Sequence, residues 1–247
     1  MNTKRLAEEI AAKLGQMLGT VQLAAVRSVY ISGSYCRGDW LDHSSDLDVN
    51  IVLRDTAQSV QDKDIQWIQS SIEKGKAGRN FPSQCPGGVD LGLISEKYIP
   101  KTQAEASIPS PYSPFSTTMF DLKAYHLTLY GEDPEEFLPP VPVPSSCAGA
   151  WLRFLCGRQT DSSPRAMFGA YKAVTAAQLY FGEPTLNKYR MLELYQRYVP
   201  DFPDKPFGEQ VIRNYIGSFY PERPPLLLPA ARYAAFMTEL ERLVESS

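Results

Sequence analysis

The residues of this sequence best suited by type and spacing to catalysis or metal binding are two aspartates separated by one residue, Asp46 and Asp48. They lie in the segment SDLDVNIVL, where polar and apolar residues alternate as in a β-strand. Residues i and i+2 of a strand share a face about 6 to 7 Å apart, so the two carboxylates should project together. Such neighbours repel unless a cation intervenes, and Mg²⁺ prefers oxygen ligands. The pair indicates a divalent-metal site, although Asp-x-Asp on a strand's wet face is also typical of simple solvation.

A Gly-Ser pair, Gly33 and Ser34, precedes the aspartates and follows a β-leaning run at residues 25–31. Glycine at such a turn allows close approach to backbone N–H groups, which bind phosphate, and a serine hydroxyl adds one more donor. Asp90 is the central acid of a second alternating segment, VDLGLI, and is the candidate third carboxylate. Each feature alone is also typical of an ordinary surface, but their order predicts a site for a metal-bound triphosphate.

A compact unit of helices and strands is predicted to position these residues. Apolar residues at helical spacing predict an N-terminal amphipathic helix that ends at Gly19. A second helix is predicted around residues 62–74 and a third from Ser116 to Tyr130. The order helix, strand, turn, strand, helix, strand is typical of a small α+β or α/β unit.

A proline-rich segment at residues 137–146, FLPPVPVPSS, predicts an extended linker, since proline removes backbone donors. It separates a predicted domain at residues 1–138 from a predicted helical domain at residues 147–247. The helices expected in the second domain cover residues 148–158, 163–181, 187–198 and 230–244. The predicted fold class is α+β, with a small mixed sheet and flanking helices followed by a C-terminal helical bundle.

Composition narrows the functional classes. The formal charge of −3 argues against a nucleic-acid partner, because polyanion binding requires a concentration of Lys and Arg. The N-terminal segment lacks the apolar run of a signal peptide or membrane span, which predicts a cytoplasmic protein without membrane attachment. The four cysteines form no CxxC pair, and the two histidines, His43 and His126, are too scattered to indicate a metal cage.

The segments GSYCRGD and SSDLDVNIVL resemble the signature of the DNA polymerase β-like nucleotidyltransferase superfamily. Within it, the two-domain layout is similar to the aminoglycoside adenylyltransferases that act on streptomycin and spectinomycin. AYHLTLYGEDPEEFLPPVP resembles the segment that closes their nucleotidyltransferase domain, and GEPTLNKYRMLELYQRYVP resembles part of their helical domain.

The resemblance implies that Asp46 and Asp48 ligate Mg²⁺ while Gly33 and Ser34 bind the nucleotide phosphates. Asp90 corresponds to a third acid that either completes the metal site or takes the proton from the acceptor hydroxyl. The antibiotic-modifying enzymes have glutamate at this position, and the shorter side chain here leaves both roles open.

Three further residues are nucleotide-binding candidates. Lys188 matches a lysine of the helical domain that reaches the triphosphate, although a solvated lysine at a helix start has the same pattern. Arg37 either contacts phosphate or forms a loop salt bridge with Asp39. Ser45 belongs to the Ser-Asp-x-Asp motif itself.

The implied activity transfers a nucleoside monophosphate, AMP from ATP or the equivalent from another NTP, to a hydroxyl of a small polar acceptor such as an aminoglycoside. Two Mg²⁺ ions about 3.5 to 4 Å apart are expected to serve in-line attack, with the nucleotide between the domains and the helical domain holding the acceptor. Two alternatives stay open: transfer to a protein or tRNA, and a non-catalytic, antitoxin-like regulatory module. Oligomeric state is left open.

Overall fold

The structure of the protein is a computed structural model. It describes residues 3–41, 45–76, 88–108, 120, 122–158, 161–183, 185–217 and 226–247. The chain divides into two compact units, the first made of Met1–Lys101 with Asp121–Pro139 and the second of Thr102–Phe120 with Pro140–Ser247. The chain thus passes from the first unit to the second within the proline-rich segment 137–146.

The first unit is an α+β unit. Its elements are helix α1 (Thr3–Leu18), strand β1 (Val26–Ser32), helix α2 (Ser34–Arg37), strand β2 (Leu47–Leu53), helix α3 (Gln58–Lys76), strand β3 (Val89–Ser95), a 3₁₀ turn (Glu96–Tyr98), strand β4 (Leu127–Gly131) and helix α5 (Pro134–Phe137). Together with the helical second unit, this arrangement confirms the predicted α+β class.

One mixed sheet organises the first unit. The strand order is β3-β2-β1-β4, with β1 antiparallel to both of its neighbours and β2 parallel to β3. The apolar face of β2 is buried in one cluster with the apolar stripe of α1, which includes Leu6, Ile10 and Leu14. Because side chains alternate along a strand, this packing turns Asp48 and Asn50 to the opposite face.

Strand β4 replaces the C-terminal part of the helix predicted from Ser116 to Tyr130, whereas the described residues Phe120 and Leu122 are helical. Leu127–Gly131 is the outer strand beside β1, with Ile31 opposite Leu127. Pairing with β1 satisfies the backbone groups of a segment whose apolar residues fit either period, so tertiary contact decides its conformation. The upstream part of the predicted helix, residues 116–119 and 121, lies outside the described residues.

The second unit is built from helices. They are α4 (Gln103–Ala106), α6 (Pro144–Cys156), α7 (Ser163–Phe181), α8 (Met191–Tyr198), α9 (Lys205–Gly217) and α10 (Ala230–Glu245). Buried apolar residues of α6 to α10 form one core, in which α7 contributes the largest share.

Two helix boundaries differ from the predictions. Helix α6 begins at Pro144 rather than at Ala148, since proline fits the first turn, where a backbone N–H lacks a helical partner. Helix α8 begins at Met191 rather than at Asn187, because residues 188–190 form a turn over the Asn187 side chain, which accepts from the Tyr189 N–H at 3.0 Å.

Helix α9 is absent from the sequence-based expectation because Pro206 and Gly208 lie within its first turn and weaken the helical pattern. The tertiary structure explains Gly208. A Cβ there would overlap the hydroxyl of Tyr195 and lie 3.0 Å from Phe236. Gly208 therefore lets the phenol of Tyr195 pack directly on the backbone of α9.

No helix in the part of the chain that the structure describes is both long and apolar enough to cross a bilayer. The described cysteines, Cys36, Cys147 and Cys156, are free thiols. Cys85 and His43 lie outside the described residues.

Candidate active site

Three carboxylates converge on the polar side of the sheet. Asp46 directly precedes β2, Asp48 lies within it, and Asp90 lies on the parallel strand β3 exactly opposite Asp48 in the register. Each residue offers a carboxylate oxygen, and these oxygens all lie within 4.8 Å of one another. Asp46 and Asp48 are half-buried while Asp90 is exposed, so the group opens to solvent on the side of β3. The sequence predicts all three acids as members of one site, and the parallel register of β2 and β3 is what places Asp90 beside Asp48.

Gly33 forms the wall of the site next to Asp48. It connects β1 to α2 with φ of 75°, a left-handed conformation that favours glycine. Ser32, the last residue of β1, lies opposite Asp48 in the sheet, so Gly33 follows at the position where the Asp48 carboxylate leans. A Cβ on Gly33 would overlap Asp48 Oδ2. Glycine is therefore required twice here, by the backbone conformation and by the neighbouring carboxylate.

Ser34 and Cys36 lie on the short helix α2 that follows this turn. Ser34 is 3% exposed, so its side chain faces mostly into the protein. Burial raises the pKa of the Cys36 thiol to about 11. The negative charge of Asp48 raises this pKa further, and the positive charge of Arg37 lowers it by a smaller amount. The thiol donates to the Ile31 carbonyl at 3.4 Å, which fits a protonated, structural cysteine beside the acids.

The structure shows the salt-bridge alternative for Arg37. Its Nε donates to both carboxylate oxygens of Asp39, at 3.2 and 3.3 Å, and Asp39 is completely buried. Ser45 is also completely buried, and its hydroxyl accepts the Leu41 N–H at 2.9 Å. In this structure these bonds fix Asp39 and Leu41 after α2 and Ser45 directly before Asp46.

Asn50 is a polar residue of the site that lies on β2, on the same face as Asp48. Its Nδ2 donates to Ser32 Oγ at 3.0 Å and approaches the Asp48 carbonyl oxygen at 3.4 Å. On the other side, Asn50 lies opposite Gly92 of β3, where a Cβ would be 2.6 Å from Asn50 Oδ1. The alternation of β2 was the sequence signal for Asn50, but its partners on β1 and β3 are visible only in the sheet.

Lys188 belongs to the second unit, where it lies half-buried in the turn that precedes α8. Its carbonyl accepts the Met191 N–H at 3.4 Å. The three acids and the Gly33 turn belong to the first unit, so the role of Lys188 toward a triphosphate stays a prediction.

His126 is held in a structural network at the start of β4. Its Nδ1 lies 2.6 Å from the Leu122 carbonyl oxygen, and its Nε2 lies 2.9 Å from Asp133 Oδ1. Burial raises the pKa of Asp133, but hydrogen bonds from the Glu135 N–H, Thr128 and His126 outweigh it and lower the pKa below its usual value. This network joins β4 to the N-terminus of α5, where Asp133 is the N-cap.

Comparisons with known proteins agree with the fold. Residues 8–77 match the family model of the nucleotidyltransferase domain. This match spans α1 to α3 and includes Gly33, Ser34, Asp46 and Asp48. No curated protein sequence matches the chain significantly.

Solved structures with similar folds include the spectinomycin adenyltransferase AAD(9) from Enterococcus faecialis, crystallised with ATP and spectinomycin. The TM-score is 0.50 at 14% sequence identity, and the match covers 98% of each chain. At this identity the likeness establishes the fold. Residues 8–77 of the first unit therefore match a nucleotidyltransferase domain, and the chain has the fold of the spectinomycin adenyltransferase AAD(9).

Proposed function

We propose that the protein transfers AMP from ATP to a hydroxyl group of a small polar acceptor such as an aminoglycoside. The observation that carries the proposal is the convergence of Asp46, Asp48 and Asp90 within 4.8 Å beside the Gly33 turn. Three carboxylates on one open face match the oxygen ligands that Mg²⁺ prefers. Their mutual repulsion is also relieved by a cation, so the donor set fits one or two magnesium ions.

In the proposed mechanism Asp46 and Asp48 hold Mg²⁺, and Asp90 either completes that ligand set or accepts the proton of the attacking hydroxyl. When bound, the metal supplies positive charge that neutralises the triphosphate and favours ionisation of the acceptor hydroxyl. The acceptor oxygen forms a bond to the α-phosphorus while the bond to pyrophosphate breaks. The chain contributes mainly position and charge, as is general for phosphoryl transfer.

Phosphate binding is proposed for the Gly33 turn and the start of α2, where Ser34 and its N–H follow. Lys188 is proposed to offset the charge of the leaving pyrophosphate. Arg37 and Ser45 are retained as proposed nucleotide-binding residues. Their observed bonds are made to Asp39 and Leu41, and Ser45 directly precedes Asp46.

Two observations support the proposed acceptor class. The fold neighbour was crystallised with spectinomycin, and the net charge of −3 is compatible with capturing a cationic acceptor. We propose a cytoplasmic location for the same enzyme, supported by the free thiols of the described cysteines.

A pyrophosphate-release screen tests the proposal. The full-length protein is incubated with each NTP and Mg²⁺ against a panel of aminoglycosides, lincosamides, tRNA and protein acceptors. Release that requires ATP, Mg²⁺ and an aminoglycoside supports the proposal. Saturable release with tRNA or protein instead identifies the macromolecular alternative. Binding of Mg·ATP without release across the whole panel identifies a non-catalytic module.

A further inference from the structure

The side chain of Asn50 contacts both strands that neighbour β2, unlike that of an ordinary surface asparagine. It extends from β2 over both neighbouring strands, with its amide nitrogen on Ser32 of β1 and its amide oxygen over Gly92 of β3. The absence of a side chain at residue 92 is what leaves space for the amide, because a Cβ there would lie only 2.6 Å from Oδ1.

The hydrogen bond from Asn50 is made to Ser32, the last residue of β1, which directly precedes the Gly33 turn. Ser32 is the register partner of Asp48, and the Asp48 carboxylate rests directly on Gly33. Asn50 Nδ2 also approaches the carbonyl oxygen of Asp48 itself at 3.4 Å. The amide thus links the two backbone segments whose separation decides where the Asp48 carboxylate lies.

We propose that Asn50 is a positioning residue, which acts through Ser32 to hold the Gly33 turn against Asp48 and so fixes the metal-binding carboxylates. Gly92 belongs to the same arrangement, since the absence of a side chain there leaves space for the Asn50 amide against β3. This inference rests on the proposed metal site, and it goes beyond that site in assigning a role to a neutral residue two positions after the last acid of β2.

A double-mutant cycle between Ser32→Ala and Asn50→Leu tests the link in the full-length protein. The readouts are Mn²⁺ affinity by titration, the Mg²⁺ concentration that half-saturates pyrophosphate release, and thermal unfolding without metal. Loss of one hydrogen bond corresponds to about a fivefold change in an equilibrium constant, so each single variant is expected to weaken Mn²⁺ binding about fivefold. The double variant is expected to be no weaker than either single variant, because both remove the same bond. Gly92→Ala is expected to give the same loss by displacing the amide.

Ser28 provides the matched control. It lies on β1, on the same face as Ser32, and is completely buried, but its hydroxyl has no hydrogen-bond partner among the described residues. Ser28→Ala is therefore expected to leave Mn²⁺ affinity unchanged.

Two results separate the inference from the proposed function. If Asp48→Asn does not weaken Mn²⁺ binding, the metal site itself is wrong. If Asp48→Asn weakens binding while the Ser32 and Asn50 variants match the Ser28 control, Asn50 is only structural and the inference is overturned. Additive effects in the double variant overturn it as well, because the two residues then act separately.

Discussion

Asp48→Asn is the most informative single substitution, since it removes one charge from the acidic group with little change of shape. At the observed limit of 4.8 Å, two unit charges repel by about 3 kcal/mol at an effective dielectric constant of about 20 and by about 1 kcal/mol in bulk water. Asp48 experiences this repulsion from both Asp46 and Asp90. The substitution therefore relieves repulsion among the carboxylates of the metal-free site.

The effect on activity has the opposite sign. The same charge that destabilises the metal-free site attracts Mg²⁺, so its loss is expected to lower turnover by at least about 10²-fold. That decrease equals about 2.7 kcal/mol of lost transition-state stabilisation, which is comparable to the electrostatic energy of one carboxylate in the group. Pyrophosphate release measures turnover, and a Mn²⁺ titration measures the metal site directly.

Asp55→Asn is the matched control. It makes the same change of charge on an exposed residue that follows the opposite end of β2, about 20 Å away along the strand. A folded Asp48→Asn variant whose turnover and Mn²⁺ affinity equal those of Asp55→Asn would refute the reasoning, because the acids would then hold no metal needed for transfer.

Three further substitutions test other parts of the structure. Gly33→Ala should abolish turnover and destabilise the protein by about 1 to 3 kcal/mol in urea unfolding, since φ is 75° and the new methyl group overlaps Asp48; an active, stable variant would contradict the turn geometry. Asp133, whose pKa is lowered in the folded state, should stabilise the protein above the carboxyl's ordinary pKa of about 3.9 and lose that effect as the pH falls below it. Asp133→Asn should therefore flatten the acid side of the stability profile, and an unchanged profile would argue against the network. Gly208→Ala should lower the unfolding free energy by about 1 to 3 kcal/mol through overlap with Tyr195. Gly217→Ala should not, because no described residue apart from its neighbours in the chain lies within 4 Å of a Cβ at that position.

Local pattern was sufficient where a residue's role depends on its immediate neighbours in sequence. The alternation of SDLDVNIVL predicted β2 and the shared face of Asp46 and Asp48, and the Gly-Ser pair predicted the turn after β1. Both follow from backbone geometry, because a strand repeats every two residues and a left-handed turn favours glycine.

Segments with ambiguous periodicity were predicted less well. LTLYG became β4 because β1 offered a free edge for hydrogen bonding, and residues 205–217 became α9 although Pro206 and Gly208 obscured the helical pattern. In both cases contacts between residues distant in sequence outweighed local propensity.

The sequence by itself determined the chemical groups of this protein: which residues carry charge, where the chain turns at glycine, and which acids share a strand face. Only the tertiary structure decided which of these groups meet. The parallel register of β2 and β3 brings Asp90 to Asp48, and the neighbouring strands give Asn50 its partners on Ser32 and Gly92. Register is set by packing and hydrogen bonds between strands far apart in the chain, and no local sequence pattern records it.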